Sequence, residues 1–214
     1  MKRYCLYLFI LIGISCSAEL KAQKNGTVYK GNDPAVRYTG RTLVSPDGSV
    51  AFDWVGTYLE TRFTGGKLSV KVSETGTSYY NVFVDGKLHK VVKVCGTDTL
   101  IHLVSGIDKR IHSLKIQKRS EGEFGKTTVH QFVLSGSGRL AEEPAVRTRH
   151  IEFIGNSLTC GYGTDGKHRD EPFLVETENC NLTFASMLAR YYDADYTLIA
   201  HSGRGAARNY GDSV

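Results

Sequence analysis

The chain has few of the features that mark several large classes of protein. Its formal net charge is only +5 over 214 residues. The basic residues are scattered, and they do not form a stripe with aromatic residues of the kind that binds nucleic acids. No spacing of Cys and His typical of a metal site is visible. We therefore predict no nucleic-acid partner, no metal site and no cofactor.

Long apolar runs are also missing, apart from one at the N-terminus. Tyr4 to Ile14 is apolar and follows Lys2 and Arg3, but a transmembrane helix needs about 20 such residues. Small and polar residues follow the run, which is typical of a secretory signal peptide. We assign residues 1–23 to that peptide and predict a secreted, periplasmic or cell-surface protein without a transmembrane segment. Cys16 leaves a lipoprotein open as an alternative, and the oligomeric state is not predictable.

Cysteine is scarce once this peptide is removed. Cys95, Cys160 and Cys180 remain, an odd number in an oxidising compartment, so at most one disulfide can form within the chain. Cys160 and Cys180 flank one loop and could pair. Nothing in their spacing requires the pairing.

Residues 24–140 show a period of two that is typical of β-strands. Leu68, Val70 and Val72 alternate with polar residues, which predicts a strand with one buried face. Asp85-Gly86 predicts a tight hairpin, because both central positions of a type I′ turn need positive φ. Many short antiparallel strands indicate a β-sandwich or barrel, and we predict a jelly roll. Further strands are predicted at Val36 to Leu43, Val50 to Trp54, Tyr58 to Phe63, Leu100 to Leu103, His112 to Lys118 and Thr128 to Leu134.

A polar, proline-containing stretch at residues 141–149 predicts a linker, and a different pattern follows it. Ile151 to Ile154 and Tyr196 to Ala200 are short apolar runs without alternation. Such runs are typical of buried parallel strands. A strand, a helix and a second strand in this order predict a βαβ unit, so residues 150–214 form an α/β domain.

The helix between these two strands is predicted at Leu182 to Tyr192. Phe184, Leu188 and Tyr191 fall on one face of it. Asn181 is the predicted N-cap.

Glycine and polar residues follow both predicted parallel strands. Gly155-Asn156-Ser157 leaves the first strand and Gly203-Arg204-Gly205 follows the second. Because ligands bind outside the carboxyl ends of parallel strands, the two loops should face each other there. A serine nucleophile needs a base to accept its proton and donors to stabilise the oxyanion, and glycine amides can approach a reacting oxygen closely.

The sequence around these loops resembles a known family of hydrolases. Gly155-Asn156-Ser157-Leu158-Thr159 resembles the first block of the GDSL, or SGNH, hydrolases, with Asn156 where Asp is usual. The wider pattern resembles carbohydrate esterase family 2, whose members carry a jelly-roll β-sandwich ahead of an SGNH hydrolase domain. The stretches that carry this resemblance are 153–163, 176–179, 202–205 and 208–211.

The resemblance implies a function and a set of site residues. Members of the family remove O-acetyl groups from plant cell-wall polysaccharides such as xylan or mannan through an acyl-serine intermediate. Ser157 matches the nucleophile, and its own amide would be one oxyanion donor. The second donor matches Gly205, with Gly203 as the alternative. The resemblance also points to Asn156, Arg208 and Tyr210 as residues that bind an acetylated polysaccharide or oligosaccharide.

Two family elements fall outside these 214 residues. The third-block Asn and the late catalytic His would lie beyond residue 211, so we expect residues 150–214 to be the N-terminal part of a truncated SGNH domain. His201 ends the second strand, and we assign it a structural or substrate-facing role. Without its base, the serine has almost no alkoxide at neutral pH. We expect the 214-residue chain alone to be inactive as an esterase.

The competing hypothesis is a non-catalytic glycan-binding protein, in which the sandwich binds sugar and a remnant of the hydrolase packs against it. Tyr79, Tyr80 and Trp54 could stack on sugar rings if they are exposed. We favour packing within β structure for these aromatics.

Overall fold

The computed structural model describes residues 26–142 and 145–213. The predicted signal peptide and Cys16 lie outside these residues, and so do residues 143 and 144 of the predicted linker. None of the helices in the described ranges is both long and apolar enough to span a membrane. The strands are β1 (Gly26–Lys30), β2 (Val36–Thr39), β3 (Leu43–Val44), β4 (Val50–Phe52), β5 (Tyr58–Val84), β6 (Lys87–Lys118), β7 (Thr127–Ser135), β8 (His150–Gly155) and β9 (Asp195–Ala200). The α-helices are α1 (Ser157–Cys160) and α2 (Phe184–Tyr191), and 3₁₀ turns occur at Gly122–Phe124, Val175–Thr177 and Cys180–Leu182.

Two long strands, β5 and β6, run antiparallel to each other and build most of the N-terminal region. Residues 80–84 of β5 pair with both ends of β6, whereas residues 67–74 pair with the middle of β6 on one side and with β7 on the other. Strands β1 to β7 thus belong to one hydrogen-bonded sheet of seven strands within the described residues. The pairing of residues 80–84 with both ends of β6 is consistent with a sheet that folds over into a β-sandwich.

The separately predicted strands between residues 58 and 118 are segments of these two long strands. Gly66 and Gly96 adopt positive φ of +99° and +78° at positions where the register shifts. Glycine tolerates this backbone region, so the strands bend there and continue. A further strand, β1, is not among the predicted strands, and it pairs with β7.

The hairpin predicted at Asp85-Gly86 is confirmed. It joins β5 to β6, and both residues have positive φ, 50° and 74°. The turn sets the local pairing of Val84 with Lys87.

The sandwich buries one continuous hydrophobic core. Leu68, Val70 and Val72 point into it as predicted, together with the fully buried Phe63 and Phe132. Tyr80 is only 3% exposed and belongs to this core, so it cannot stack on a sugar. Tyr79 donates a hydrogen bond to Glu176 at 3.2 Å, and Trp54 lies beneath the guanidinium of Arg41.

Residues 150–213 contain the predicted order of strand, helix and strand. β8 and β9 are parallel and in register from His150 opposite Asp195 to Gly155 opposite Ala200. Their carboxyl ends therefore lie at the same edge of the sheet. We call residues 150–213 the α/β segment.

The prediction for the helix in this segment needs two corrections. Phe184, Leu188 and Tyr191 are exposed, and α2 instead buries Ala185 and Ala189. The two small side chains let the helix approach its neighbours closely, and periodicity does not tell which face does so. The N-cap is Thr183 and not Asn181, because a 3₁₀ turn at Cys180–Leu182 precedes the helix.

The sandwich and the α/β segment share a second, smaller core. Val55 and Tyr58 of the sandwich pack with Tyr196 and Leu198 of β9 and with small residues of α2. Asp195 lies at the edge of this contact, where it accepts hydrogen bonds from Tyr58 Oη at 2.7 Å and from Arg37 Nη1 at 2.6 Å. The α/β segment is thereby fixed against the sandwich.

Candidate active site

The first loop turns sharply out of β8 because of its small and polar residues. A Cβ on Gly155 would lie 2.0 Å from Thr159 Oγ1, so only glycine lets the strand end this close to α1. Asn156 caps α1 by accepting a hydrogen bond from Leu158 N at 3.2 Å. Gly161, with φ of +83°, ends this short helix. Ser157 is its first residue, half-buried at the carboxyl end of the strand.

The second loop, which contains Ser202 to Gly205, follows β9, and residues 208–210 fold back against it. Gly203 has φ of +75°, and its carbonyl accepts a hydrogen bond from Tyr210 N at 2.7 Å. A Cβ on Gly205 would lie 2.1 Å from the carbonyl oxygen of Arg208. The close approach of residues 208–210 therefore requires glycine at 205.

Both loops line one open cleft of about 690 Å³. All six candidate residues from the sequence are in its wall, and their catalytic and binding roles stay predictions. The cleft also contains four residues to which the sequence assigned no site role. Its lining consists of Glu123, Asn156, Ser157, Tyr162, Ser202, Gly203, Arg204, Gly205, Arg208 and Tyr210.

The backbone amides in the cleft differ in what they bind. Gly205 N lies 3.4 Å from Asn209 Oδ1, a long hydrogen bond. Within the described residues, the amides of Ser157 and Gly203 have no hydrogen-bond acceptor. The amide of Gly203 is therefore free to bind an acceptor, and the amide of Gly205 is held only by this long hydrogen bond. Which of the two is the second oxyanion donor stays a prediction.

No histidine of the described residues makes a hydrogen bond with Ser157 Oγ. The ring of His201 instead contacts the carbonyl oxygen of Ser202 through Nδ1 at 2.8 Å. Its two ring nitrogens also lie 3.7 Å from carboxylate oxygens of Glu121 and Glu123. His201 thus contacts the backbone of the second loop and makes no hydrogen bond with Ser157 Oγ.

Two carboxyl groups lie buried beneath the cleft beside Cys160. Side-chain atoms of Glu121, Glu178 and Cys160 approach within 4.8 Å of one another. Burial, together with a hydrogen bond and the charge of Glu121, raises the pKa of Glu178 to about 9. Burial also raises the pKa of the Cys160 thiol. Cys160 and Cys180 are both free and buried, so the disulfide left open by the sequence does not form.

Sequence reasoning assigned no role to this pair of carboxyl groups. Glu178 lies within 176–179, one of the stretches that carry the family resemblance, and this was the available signal for it. Glu121 lies at the end of the sandwich, more than 30 residues before the first loop. Nothing in the local sequence points from Glu121 to the cleft.

An aromatic stack forms one side of the cleft. The rings of Tyr162 and Phe173 are parallel within 11°, with centroids 3.6 Å apart. Phe124 of the sandwich contacts the same Phe173 ring. The stack fixes the segment after α1 against the sandwich.

Comparison with known proteins identifies a family that contains the sandwich. The family described as "Carbohydrate esterase 2 N-terminal" matches residues 38–144. The chain is 34% identical over 180 residues to the cellulase/esterase CelE of Acetivibrio thermocellus, covering 84% of this chain and 22% of that protein. It is 27% identical to an acetylxylan esterase/glucomannan deacetylase of Cellvibrio japonicus, covering 84% of this chain and 50% of that protein.

Solved structures show the same likeness. A family two carbohydrate esterase from Clostridium thermocellum in complex with cellohexaose is 34% identical, with a TM-score of 0.79, over 84% of this chain and 55% of that one. A family two esterase from Cellvibrio japonicus is 26% identical, with a TM-score of 0.77, over 86% of this chain and 55% of that one. The chain spans half or less of the length of these two curated relatives.

Proposed function

The chain belongs to carbohydrate esterase family 2, and from this we propose that it is part of a secreted SGNH hydrolase that removes O-acetyl groups from plant cell-wall polysaccharide of the xylan or mannan type. One observation carries the proposal. Ser157 and the glycine-containing second loop line the same cleft at the carboxyl ends of two parallel strands. The relatives named as acetylxylan esterases support the class of substrate.

In the proposed reaction, Ser157 Oγ attacks the carbonyl carbon of the acetyl group and loses its proton to a base. The carbonyl π electrons move to oxygen, and the resulting oxyanion accepts hydrogen bonds from Ser157 N–H and from the amide of Gly203 or Gly205. The sugar oxygen then leaves with a proton, and an acetyl ester remains on Ser157. Attack by water on this ester releases acetate and restores the hydroxyl.

The substrate would enter along the open side of the cleft. Tyr210 is 94% exposed there and offers a ring face to a sugar. Arg208 and Asn156 supply hydrogen-bond donors to hydroxyl groups. These three residues are the proposed contacts for the chain of sugars around the acetyl group.

The proposed base is the family's late histidine, which the resemblance assigns to a position beyond Val214. We therefore expect no acetyl-ester turnover from residues 1–214 alone. Turnover by this chain that depends on Ser157 would contradict that expectation.

The test uses the chain joined to the C-terminal half of the esterase domain of the 34% identical relative. We expect this protein to release acetate from acetylated xylan or glucomannan. Replacing Ser157→Ala should reduce the rate by about 1000-fold or more, because removal of a catalytic nucleophile leaves only binding and oxyanion stabilisation.

Ser105→Ala is the matched control, because Ser105 is an exposed serine on β6 far from the first loop in sequence. It should retain the parental rate. Acetate release that survives Ser157→Ala would contradict the proposed nucleophile. Retained binding of acetylated oligosaccharide by a joined protein that is folded and inactive would support the glycan-binding alternative.

A further inference from the structure

The second loop is held from below by a carboxylate of the sandwich. Glu121 Oε2 accepts a hydrogen bond from Ser202 N at 2.6 Å, and Oε1 accepts one from Ser202 Oγ. Glu121 is only 1% exposed. Ser202 directly precedes Gly203, which lines the cleft and whose amide has no acceptor within the described residues. The loop that carries this candidate oxyanion donor is thus bonded to a residue 81 positions before Ser202 in the chain.

A second carboxyl group packs against this one. Glu178 is completely buried, and its Oε2 accepts a hydrogen bond from Glu121 N at 2.9 Å. Its Oε1 has no hydrogen-bond partner within the described residues. A buried carboxylate oxygen without a partner is costly. A proton on this oxygen would remove the negative charge and create a donor toward Glu121.

Lys118 and Arg119, the lysine and arginine next to the two carboxyl groups, bind other acceptors. Lys118 Nζ donates to Ser78 Oγ and to the Gly125 carbonyl. The Arg119 guanidinium donates to backbone carbonyls of residues 176 and 178 and to Asp165. Two carboxyl groups that lie close together in a buried site, such as those of Glu121 and Glu178, cannot both ionise easily.

We propose that Glu121 is a positioning residue for the second loop and that a neutral Glu178 donates a hydrogen bond to the Glu121 carboxylate and keeps it in place. The inference rests on the proposed function, since the loop that it positions supplies the proposed oxyanion donor. Glu178 acts through Glu121, and neither residue is assigned a contact with the substrate.

The elevated pKa of Glu178, about 9, agrees with this arrangement. The folded protein holds the proton between its usual pKa, near 4.5, and about 9, whereas the unfolded chain does not. Folding stability from this group is therefore fully present below pH 4.5 and is lost as the pH rises toward 9. Other titratable and charged groups around the pair are Lys118, Arg119, Glu123, Cys160, Tyr162, Cys180 and His201.

The first experiment measures unfolding of the 214-residue chain by urea between pH 5 and pH 9. Relative to Glu178→Gln, the folded-to-unfolded ratio of the parent should fall by up to about tenfold per pH unit. Glutamine keeps a neutral donor toward Glu121 and cannot titrate. Glu152→Gln removes an exposed carboxylate on β8 and should keep the parental pH dependence.

The second experiment measures hydrogen exchange of the Ser202 amide by NMR at pH 6.5. Glu121→Gln should raise its exchange rate by about tenfold or more, because a carboxylate acceptor for two hydrogen bonds is lost. Glu178→Gln should retain the protection, whereas Glu178→Leu, which has no donor, should lose it. The proposal is overturned if Glu121→Gln leaves Ser202 protected or if glutamine and leucine at 178 behave alike.

Two further measurements keep the proposal testable if Glu121→Gln does not fold. Carboxyl ¹³C NMR of the parent should show one glutamate that titrates near pH 9, and its absence would overturn the proposal. Metal analysis should find no stoichiometric metal in the purified chain. A metal that is lost in Glu178→Gln would mean that a cation, and not a proton, joins the two carboxyl groups.

None of these readouts requires acetate release, so a failed esterase assay would not be confused with a failed positioning role. In an active joined protein, Glu121→Gln should lower kcat by about tenfold or more and leave KM nearly unchanged, since it disturbs an interaction used in the transition state. An equal rise of KM with unchanged kcat would contradict this role.

Discussion

The sandwich and the α/β segment differ in how each buries its apolar side chains. The sandwich core consists entirely of residues before the linker and includes the fully buried Phe63 and Phe132. The core of the α/β segment depends on Val55 and Tyr58 of the sandwich. Outside this contact, Ile154 and Leu158 of the segment are 80% and 77% exposed. The sandwich can therefore fold around its own core, whereas the segment relies on the sandwich for part of its core.

This difference gives the contact between the two regions a role in the site. Ser157 lies on the α/β segment, but the second loop hydrogen-bonds to Glu121 of the sandwich. Asp195 at the start of β9 is likewise held by Arg37 and Tyr58 of the sandwich. The cleft is thus a product of both regions, and changes at their contact should reach it.

The largest expected effect comes from separating the two regions. Residues 26–142 expressed alone should give dispersed NMR spectra and cooperative unfolding, because their core is intact. Residues 145–213 alone should give neither, because the segment loses part of its core and exposes more apolar surface. Cooperative folding of the second fragment would contradict the comparison.

Truncation of a core side chain in each region should separate their stabilities. Phe132→Ala should cost about 3–5 kcal/mol and Leu198→Ala about 2–5 kcal/mol. Hydrogen exchange should accelerate throughout the chain for Phe132→Ala, but mainly in residues 150–213 for Leu198→Ala. Uniform acceleration in both variants would show that the two regions unfold as a single unit.

Acid should release the α/β segment before the sandwich. Burial alone would raise the pKa of Asp195, but hydrogen bonds from Arg37, Tyr58 and Arg147 outweigh it and lower the pKa to about 2. A lowered pKa in the folded state contributes stability above the usual value of about 3.8, and this is lost as the pH falls toward 2.

NMR peak intensities of β9 between pH 5 and pH 2 provide the measurement. They should fall earlier than those of β7. Asp195→Asn should be less stable at neutral pH, and its β9 peak intensities should fall less over this range. An unchanged acid profile in this variant would contradict the role given to the Asp195 carboxylate.

The smallest expected effect is at Asn156. Asn156→Ala should destabilise the turn that carries Ser157 by about 1 kcal/mol, because it removes the helix cap. Asn156→Asp, which introduces the residue usual in GDSL hydrolases, should change the stability of this turn by less than about 0.5 kcal/mol. Amide exchange of Thr159 and Cys160 would report the change, and an equal effect of both substitutions would contradict the capping role.

Local signals in the sequence predicted the local parts of this structure. Asp85-Gly86 predicted its hairpin because the turn depends on two adjacent residues with positive φ. The apolar runs at 151–154 and 196–200 predicted parallel strands. The burial expected of both holds only for β9, because Ile154 of β8 is 80% exposed. Strand polarity then predicted that the two loops meet. Those inferences needed no knowledge of distant contacts.

Features that depend on distant contacts could not be predicted in this way. The apolar spacing correctly predicted a helix at α2. Which face of the helix is buried depends on how it packs, and the buried face contains Ala185 and Ala189. The hydrogen bonds of Glu121 to Ser202 cross the boundary between the two regions. No pattern within a short window of sequence contains that information.

The most direct test of the proposed site is detection of an acetyl group on Ser157. The joined protein would be mixed with an activated acetyl ester, quenched with acid within one turnover, and digested for mass spectrometry. We predict one acetyl group at Ser157 in the peptide that contains residues 155–163, and none there after Ser157→Ala. An acetyl group that forms on another residue at the turnover rate, with Ser157 unmodified, would contradict the account.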